Sequence, residues 1–149
     1  QKVVPPALKY CNYIVINEVE GGMLTGIDAR RADGTPNCEH LKEICKKILQ
    51  MGVKDAVVIH CPELGCGLDE NNNFVEVPSL KLPEGWIVGT VGAGDAFCAT
   101  MLYALHEELP LQKSLRMANA AAWFNLHNAT STDGAPTLAQ IEEFLNKNY

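Results

Sequence analysis

The fold is decided by residues 13–59, which read YIVINEVEGGMLTGIDARRADGTPNCEHLKEICKKILQMGVKDAVVI. This stretch opens with Tyr13–Ile16 and closes with Ala56–Ile59, two short apolar runs rich in β-branched residues, which is the pattern of strands buried on both faces of a parallel sheet. Between them, apolar residues three and four positions apart predict one face of a helix that ends near Gly52. These positions are Leu41, Ile44, Cys45, Ile48 and Leu49. Strand, helix and strand in this order form a βαβ unit, which predicts an α/β fold with a right-handed crossover.

Two further segments complete the first half of the chain. Residues 17–26 read as a polar strand end leading into a short helix that stops near Gly26, and residues 27–37 read as a loop. Residues 65–69 and 74–77 flank an Asn-rich turn, which predicts a β-hairpin.

The second half predicts a short strand followed by three helices. The strand is the apolar run Trp86–Val88, which precedes a glycine-rich segment at residues 89–97. Apolar positions three and four apart indicate the helices, and Thr137 is the candidate N-cap of the last one. The apolar positions are Phe97, Met101, Leu102 and Leu105; Leu111, Leu115, Ala118, Ala122 and Leu126; and Leu138, Ile141 and Leu145. No Gly/Ser-rich linker divides the chain, so we expect one domain over residues 1–149.

The composition excludes several classes of protein. Lys and Arg number 12 against 18 Asp and Glu, a formal charge of −6, which argues against a general nucleic-acid binder. Hydrophobic residues make up 47% and charged residues 20%, the balance of a soluble globular protein. No apolar stretch approaches the roughly 18 residues that span a bilayer, and the first residues lack the features of a signal peptide. We therefore expect a cytoplasmic protein with no membrane or nucleic-acid partner.

The six cysteines form no C-x-x-C pair. In a chain this rich in core residues, we expect reduced thiols rather than a disulfide framework. A zinc site is the alternative, although the spacing of its candidate ligands matches no common zinc motif. Those candidates are Cys38, His40, His60, Cys61 and Cys66.

The most informative tetrapeptide is Gly92-Ala93-Gly94-Asp95, between the apolar run and an amphipathic helix. Small residues let backbone N–H groups approach a ligand closely, and free N–H groups at a helix start form an anion site. A carboxylate beside an anion site suits phosphoryl transfer to a hydroxyl group, with Asp95 taking the acceptor's proton. The same four residues also fit an ordinary helix start. They form neither a P-loop, since no Lys-Ser or Lys-Thr follows, nor a dinucleotide fingerprint, since the third glycine is missing.

Residues 90–97, TVGAGDAF, resemble the C-terminal signature of the ribokinase-like (phosphofructokinase B) family of carbohydrate kinases. Three further segments resemble the family in the same order, and together they extend over nearly the whole chain. They are NEVE followed by LTG at 17–26, AVVI with the hairpin and Val-Pro at 56–78, and ANAAA followed by Gly-Ala at 118–135. The resemblance implies an α/β fold, a partial three-layer sandwich with a mostly parallel sheet flanked by helices, from which the N-terminal half and the lid are absent.

The resemblance also implies roles for particular residues. Asp95 is similar to the family's catalytic base, which deprotonates the sugar hydroxyl that attacks the γ-phosphate of ATP, and Gly92, Ala93 and Gly94 are similar to its anion hole. Asn17 and Glu20 resemble the pair that organises Mg²⁺ and phosphate, Glu20 through water, which suits an ion that keeps several waters. An ordinary polar strand end and solvated helix start is the alternative for that pair. The remaining nucleotide-binding candidates are Gly65, Thr90 and Asn119, and for Asn119 a purely structural helix position stays open.

Two positions depart from the family pattern. Gly89 stands where the family usually has an aspartate that contributes to a monovalent-cation site, which puts potassium activation in doubt. The segment His60–Gly65 stands where the family often has Thr-x-Gly-x-x-Gly, and it keeps only the last glycine. Pro62 has no N–H group, so a backbone contact to phosphate is lost there.

The resemblance further implies that the half of the fold that carries the sugar pocket is missing. We expect a fragment, or one half of a two-chain assembly whose partner is the missing half or a companion chain, and homodimerisation stays open. The substrate is expected to be a sugar or a related small molecule, but its pocket would lie in the missing half.

The sequence leaves three functions open. The chain is the ATP-side part of a carbohydrate kinase, active only with its missing half; or it binds nucleotide or phosphate without transferring it; or its exposed sheet edge pairs with another chain. ATP hydrolysis that no sugar affects would favour the second function, and a lack of nucleotide binding would favour the third.

Overall fold

The computed structural model describes residues 3–149, and these contain six helices and four strands. In chain order the elements are α1 (Val4–Leu8), β1 (Tyr13–Asn17), α2 (Glu18–Thr25), α3 (Cys38–Gln50), β2 (Ala56–His60), β3 (Leu64–Asp69), β4 (Phe74–Pro78), α4 (Ala93–His106), α5 (Leu111–Asn125) and α6 (Leu138–Asn148). They group into two units, one ending at Val77 and one running from Pro78 to Tyr149. The prediction of a single domain stays a prediction.

The four strands form one mixed sheet in the order β1-β2-β3-β4. β1 and β2 are parallel, with Tyr13 opposite Ala56 and Asn17 opposite His60. β2 and β3 are antiparallel, with His60 opposite Gly65. The α/β class and the predicted strand–helix–strand unit are therefore confirmed, as is the hairpin of β3 and β4.

The core of the first unit lies between α3 and the sheet. The predicted stripe of α3 is confirmed, because Leu41, Ile44, Cys45 and Ile48 are fully buried. Every residue of β2 from Ala56 to Ile59 is buried as predicted. Burial of β1 on both faces was predicted wrongly: all five of its residues are only half-buried, because β1 is the edge strand of this sheet.

Three helices build the second unit. The predicted apolar positions lie on α4, α5 and α6, apart from Leu126, which is the C-cap of α5, and Thr137 caps α6 as expected. Small side chains on α5 allow its neighbours to pack closely. Two predicted core positions are wrong, since Leu102 is 44% exposed and Leu138 is 42% exposed. The core cluster of the helices comprises Ala104, Met117, Ala120, Ala121 and Ile141.

The predicted strand at Trp86–Val88 is wrong. The Trp86 N–H donates to Pro83 O and the Val88 N–H donates to Leu126 O, so these backbone groups serve a turn and the end of α5 instead of a sheet. The Trp86 ring holds the segment in place by packing on Trp123 at 4.1 Å between ring centroids and on His127 at 3.9 Å.

All six cysteines are free thiols. Over residues 3–149, no three His, Cys, Asp or Glu side chains are grouped so that they could hold a metal ion, so the zinc alternative has no support there. Over the same residues, no helix has both the length and the apolar character needed to cross a bilayer.

Candidate active site

The site in the second unit begins at Gly92, the N-cap of α4. Its backbone is left-handed, with φ 83° and ψ −5°. A Cβ atom placed there would lie 2.5 Å from the Ser131 carbonyl oxygen and 2.6 Å from its Cα. Both the dihedral angles and the space therefore require glycine at this position.

The loop at residues 128–134 packs against the chain that leads into α4. A Cβ atom on Gly89 would lie 2.7 Å from Asn128 O, and one on Gly134 would lie 2.8 Å from the Cα of Asn125. The fully buried Asn125 anchors the loop, since its Nδ2 donates to Ser131 O at 3.0 Å. The sequence analysis did not identify Asn125 or Ser131; the glycines at 89, 92 and 134 were the only signal of this close approach.

The first turn of α4 carries uncapped backbone donors. Gly92 has no side chain that could cap the helix, and the first helical bond runs from Ala96 N to Gly92 O at 2.8 Å. The Ala93 N–H makes only a long contact, 3.4 Å to Thr90 O. Gly94 and Asp95 follow in the same first turn, where backbone N–H groups have no acceptor within the helix. The predicted anion hole and Asp95 thus lie together at the first turn of α4, and Thr90 lies just before that turn.

Asp95 is an exposed residue in this first turn. A carboxylate at a helix N-terminus is held in the positive end of the helix dipole. It can accept a proton from a hydroxyl group that lies beside an anion bound to the same turn.

In the first unit, Asn17 and Glu20 form a capping box at the start of α2. Asn17 Oδ1 accepts a hydrogen bond from the Glu20 N–H at 2.8 Å, and Glu20 Oε2 accepts one from the Asn17 N–H at 3.0 Å. The pair therefore has a structural use of its own. Glu20 is an exposed residue, so a hydrated cation could reach its carboxylate.

Gly65 lies at the start of β3, buried and opposite His60. The segment between them is a tight turn, closed by a hydrogen bond from Cys61 N to Leu64 O at 2.9 Å. Burial raises the pKa of the Cys61 thiol to about 11, so this thiol is neutral at physiological pH. The contact of Gly65 with a nucleotide stays a prediction.

Asn119 is buried on α5, at 6% exposure. Its Nδ2 donates to Pro78 O at 3.1 Å, and its side chain also hydrogen-bonds Tyr149. These contacts give Asn119 a structural use within the second unit, and its role toward a nucleotide stays a prediction.

An ionic cluster that the sequence analysis did not identify lies at the ends of β1 and β2. Arg30 forms salt bridges with Glu18 at 2.7 Å and with Glu63 at 2.8 Å. The hydrogen bonds that Arg30 donates lower the pKa of Glu63, and its hydrogen bonds to Glu63 and Glu18 raise the pKa of Arg30. The three residues lie far apart in the sequence, and no local pattern connects them.

The family model and two curated relatives that match this chain are carbohydrate kinases. The family model described as pfkB family carbohydrate kinase matches residues 1–138. The 5-dehydro-2-deoxygluconokinase of Geobacillus kaustophilus is 39% identical over 142 residues, covering 95% of this chain and 39% of that protein. The ribokinase of Schizosaccharomyces pombe is 26% identical over 140 residues, covering 93% and 42%.

Solved structures share the fold. Arabidopsis thaliana ribokinase complexed with ribose and ATP superposes with a TM-score of 0.80 at 22% identity, over 96% of this chain and 43% of that one. A putative ribokinase II from E. coli in complex with ATP and Mg²⁺ gives a TM-score of 0.77 at 20% identity, over 98% and 42%. The chain thus spans about two fifths of the length of these relatives. Its signature segment, its fold and the match over residues 1–138 make it a member of the pfkB family of carbohydrate kinases.

Proposed function

We propose that the protein carrying this chain transfers the γ-phosphoryl group of ATP to a hydroxyl group of a sugar or a related small molecule, in the cytoplasm. The proposal depends on one observation: α4 begins at Gly92, has no side-chain cap, and carries the carboxylate of Asp95 in its first turn. Membership of a carbohydrate kinase family supports it, as do relatives that are sugar kinases.

Asp95 is the catalytic base in this proposal. It takes the proton of the acceptor hydroxyl while that oxygen forms a bond to the γ-phosphorus, and the bond from phosphorus to the bridging oxygen of ADP breaks. The N–H groups of Gly92, Ala93 and Gly94 form the anion hole and stabilise the charge on the transferred phosphoryl group. Because these donors are already fixed by the helix, they need no reorganisation during the reaction.

The residues of the first unit suit Mg²⁺ with ATP phosphates. Mg²⁺ binds proteins through one or two carboxylates and keeps several waters, and Glu20 offers one exposed carboxylate beside Asn17. When bound, the ion would neutralise charge on the phosphate oxygens. Gly65, Thr90 and Asn119 are proposed to contact the nucleotide.

The sugar pocket is proposed to lie in parts of the protein outside these 149 residues, since the relatives are more than twice as long. The partner of this chain is then the remaining half or a companion chain, and a homodimer of the whole remains a further proposal. The second candidate function is nucleotide or phosphate binding without transfer. This second function is favoured by the length of the chain, which covers only 39% of a related kinase.

Asp95→Asn in the full-length protein tests the proposal. We expect kcat to fall by about 10²–10⁴-fold, the usual contribution of a general base, with little change in ATP affinity. Glu107→Gln, an exposed carboxylate at the other end of α4, is the matched control and should retain activity. ADP release with a panel of sugars and ATP binding by calorimetry are the measurements. Near wild-type turnover of Asp95→Asn would overturn the base assignment, and ATP binding without transfer to any sugar would favour the second candidate.

A further inference from the structure

The guanidinium group of Arg30 connects three segments of the first unit. Its Nε and Nη2 donate to Glu18 Oε1 at 3.2 and 2.7 Å. Its Nη1 and Nη2 donate to the two carboxylate oxygens of Glu63 at 2.8 and 3.1 Å. Nη1 also donates to Gly34 O at 2.7 Å. A forked, permanently charged group is suited to hold two carboxylates in fixed positions.

The cluster lies where the two parallel strands end. Glu18 follows Asn17, the last residue of β1, and Glu63 lies in the turn after His60, the last residue of β2. Asn17 and His60 are opposite each other in the register of β1 and β2, so both strands end at one edge of the sheet. In open α/β sheets this carboxyl edge is where ligands bind.

The charges at this edge need compensation. The Glu18 side chain is only 10% exposed, and a buried carboxylate without a partner is costly. Glu18, Glu20 and Glu63 together would repel a polyphosphate. Arg30 pairs with both Glu18 and Glu63 and neutralises one of their two charges. Glu20 belongs to neither of these salt bridges, which leaves its carboxylate to attract a cation.

We propose that Arg30 is a positioning residue: by clamping Glu18 and Glu63, it fixes the Asn17–Glu20 capping box in place and keeps the edge of the sheet able to accept a magnesium–polyphosphate ligand. This inference rests on the proposed function. It assigns to Arg30 an effect on ligand affinity, not on the chemical step, because Arg30 contacts the carboxylates beside the capping box and not the box itself.

The test compares Arg30→Gln with Arg31→Gln in the full-length protein. Arg31 is the adjacent exposed residue, so both variants change the net charge equally. We expect Arg30→Gln to raise both the calorimetric Kd and the KM for MgATP about tenfold or more, the scale of a lost charge-assisted hydrogen bond, while kcat changes much less and Arg31→Gln stays near wild type. Adding Glu63→Gln to Arg30→Gln should recover part of the loss, because it removes an uncompensated charge.

Arg30→Lys keeps the charge and loses the fork, so it provides the test if Arg30→Gln fails to fold. Its KM for MgATP should lie between those of the wild type and Arg30→Gln, and above that of Arg31→Lys. Equal Kd values for MgATP in folded Arg30 and Arg31 variants would overturn the role of Arg30 while leaving the proposed function intact. A wild-type protein that does not bind MgATP would instead overturn the proposed function, and this inference with it.

Discussion

At the scale of single residues, the start of α4 depends on how closely two backbone segments approach. Ser131 occupies the space that a side chain on Gly92 would need, and Asn125 holds Ser131 there. Asp95 and the other donors of the proposed anion hole, Ala93 and Gly94, follow Gly92 directly, so their orientation depends on this contact. A side chain at Gly92 would force the loop away and turn the first helical N–H groups with it.

Gly92→Ala and Gly85→Ala separate the steric effect from the dihedral one. Gly85 also has a positive φ, 72°, but a Cβ atom there meets nothing within 4 Å. We expect Gly85→Ala to cost about 1–2 kcal/mol, the cost of a left-handed alanine, and to keep activity. Gly92→Ala should cost more and lower kcat as well, as measured by urea unfolding and by sugar-dependent ADP release. If the two variants had equal stability and activity, the contact with Ser131 would have no functional role.

At the scale of elements, the same capping box opens two helices with different expected uses. Thr137 and Gln140 cap α6 reciprocally, as Asn17 and Glu20 cap α2. The residue types alone cannot distinguish a structural cap from a ligand site, because both need an exposed oxygen acceptor at a helix start. The position distinguishes them: only the α2 box lies at the end of a parallel strand.

Three substitutions separate the two uses. Thr137→Ala and Asn17→Ala should each lower the free energy of unfolding by about 1 kcal/mol, the usual value of an N-cap. Only Asn17→Ala should also weaken MgATP binding. Asn17→Ser keeps a good N-cap but removes the amide, so we expect near wild-type stability with weakened binding. Thermal unfolding and calorimetric titration with MgATP measure the two effects. If Asn17→Ser bound MgATP with wild-type affinity, the Asn17–Glu20 capping box would have only a structural role.

The elements also show how far sequence reasoning extends. α3 and β2 were predictable because their apolar periodicity is local and survives in any context. The half-exposed β1 and the missing strand at Trp86–Val88 were not, because burial and pairing depend on neighbouring strands that are distant in the sequence. In the site, the turn from Gly92 to Asp95 is a contiguous motif. Arg30 could not be identified from the sequence, because its partners Glu18 and Glu63 lie 12 and 33 residues away.

At the scale of the whole molecule, acidic groups exceed basic ones by 18 to 12. Three carboxylates have a pKa lowered by groups that donate hydrogen bonds to them: Asp33 by Thr35, Glu63 by Arg30 and Glu143 by Lys147. A carboxylate with a lowered pKa in the folded state stabilises the fold above its unfolded pKa, and this contribution is lost as the pH falls through the folded pKa. We therefore expect stability to decline below about pH 4.5, the ordinary value for glutamate.

Glu63→Gln tests which of these carboxylates matters. At pH 7 the variant should be less stable than the wild type, because Arg30 loses a charged partner. The difference should shrink as the pH falls from 4.5 through the lowered pKa of Glu63, where the wild-type carboxylate also becomes neutral. Glu143→Gln is the control: its pair with Lys147 on α6 is exposed, so high salt should remove its effect. Urea unfolding across this pH range measures both. A stability difference for Glu63→Gln that does not vary with pH would mean that its ionisation is not linked to folding, and that the clamp of Arg30 acts through Glu18 alone.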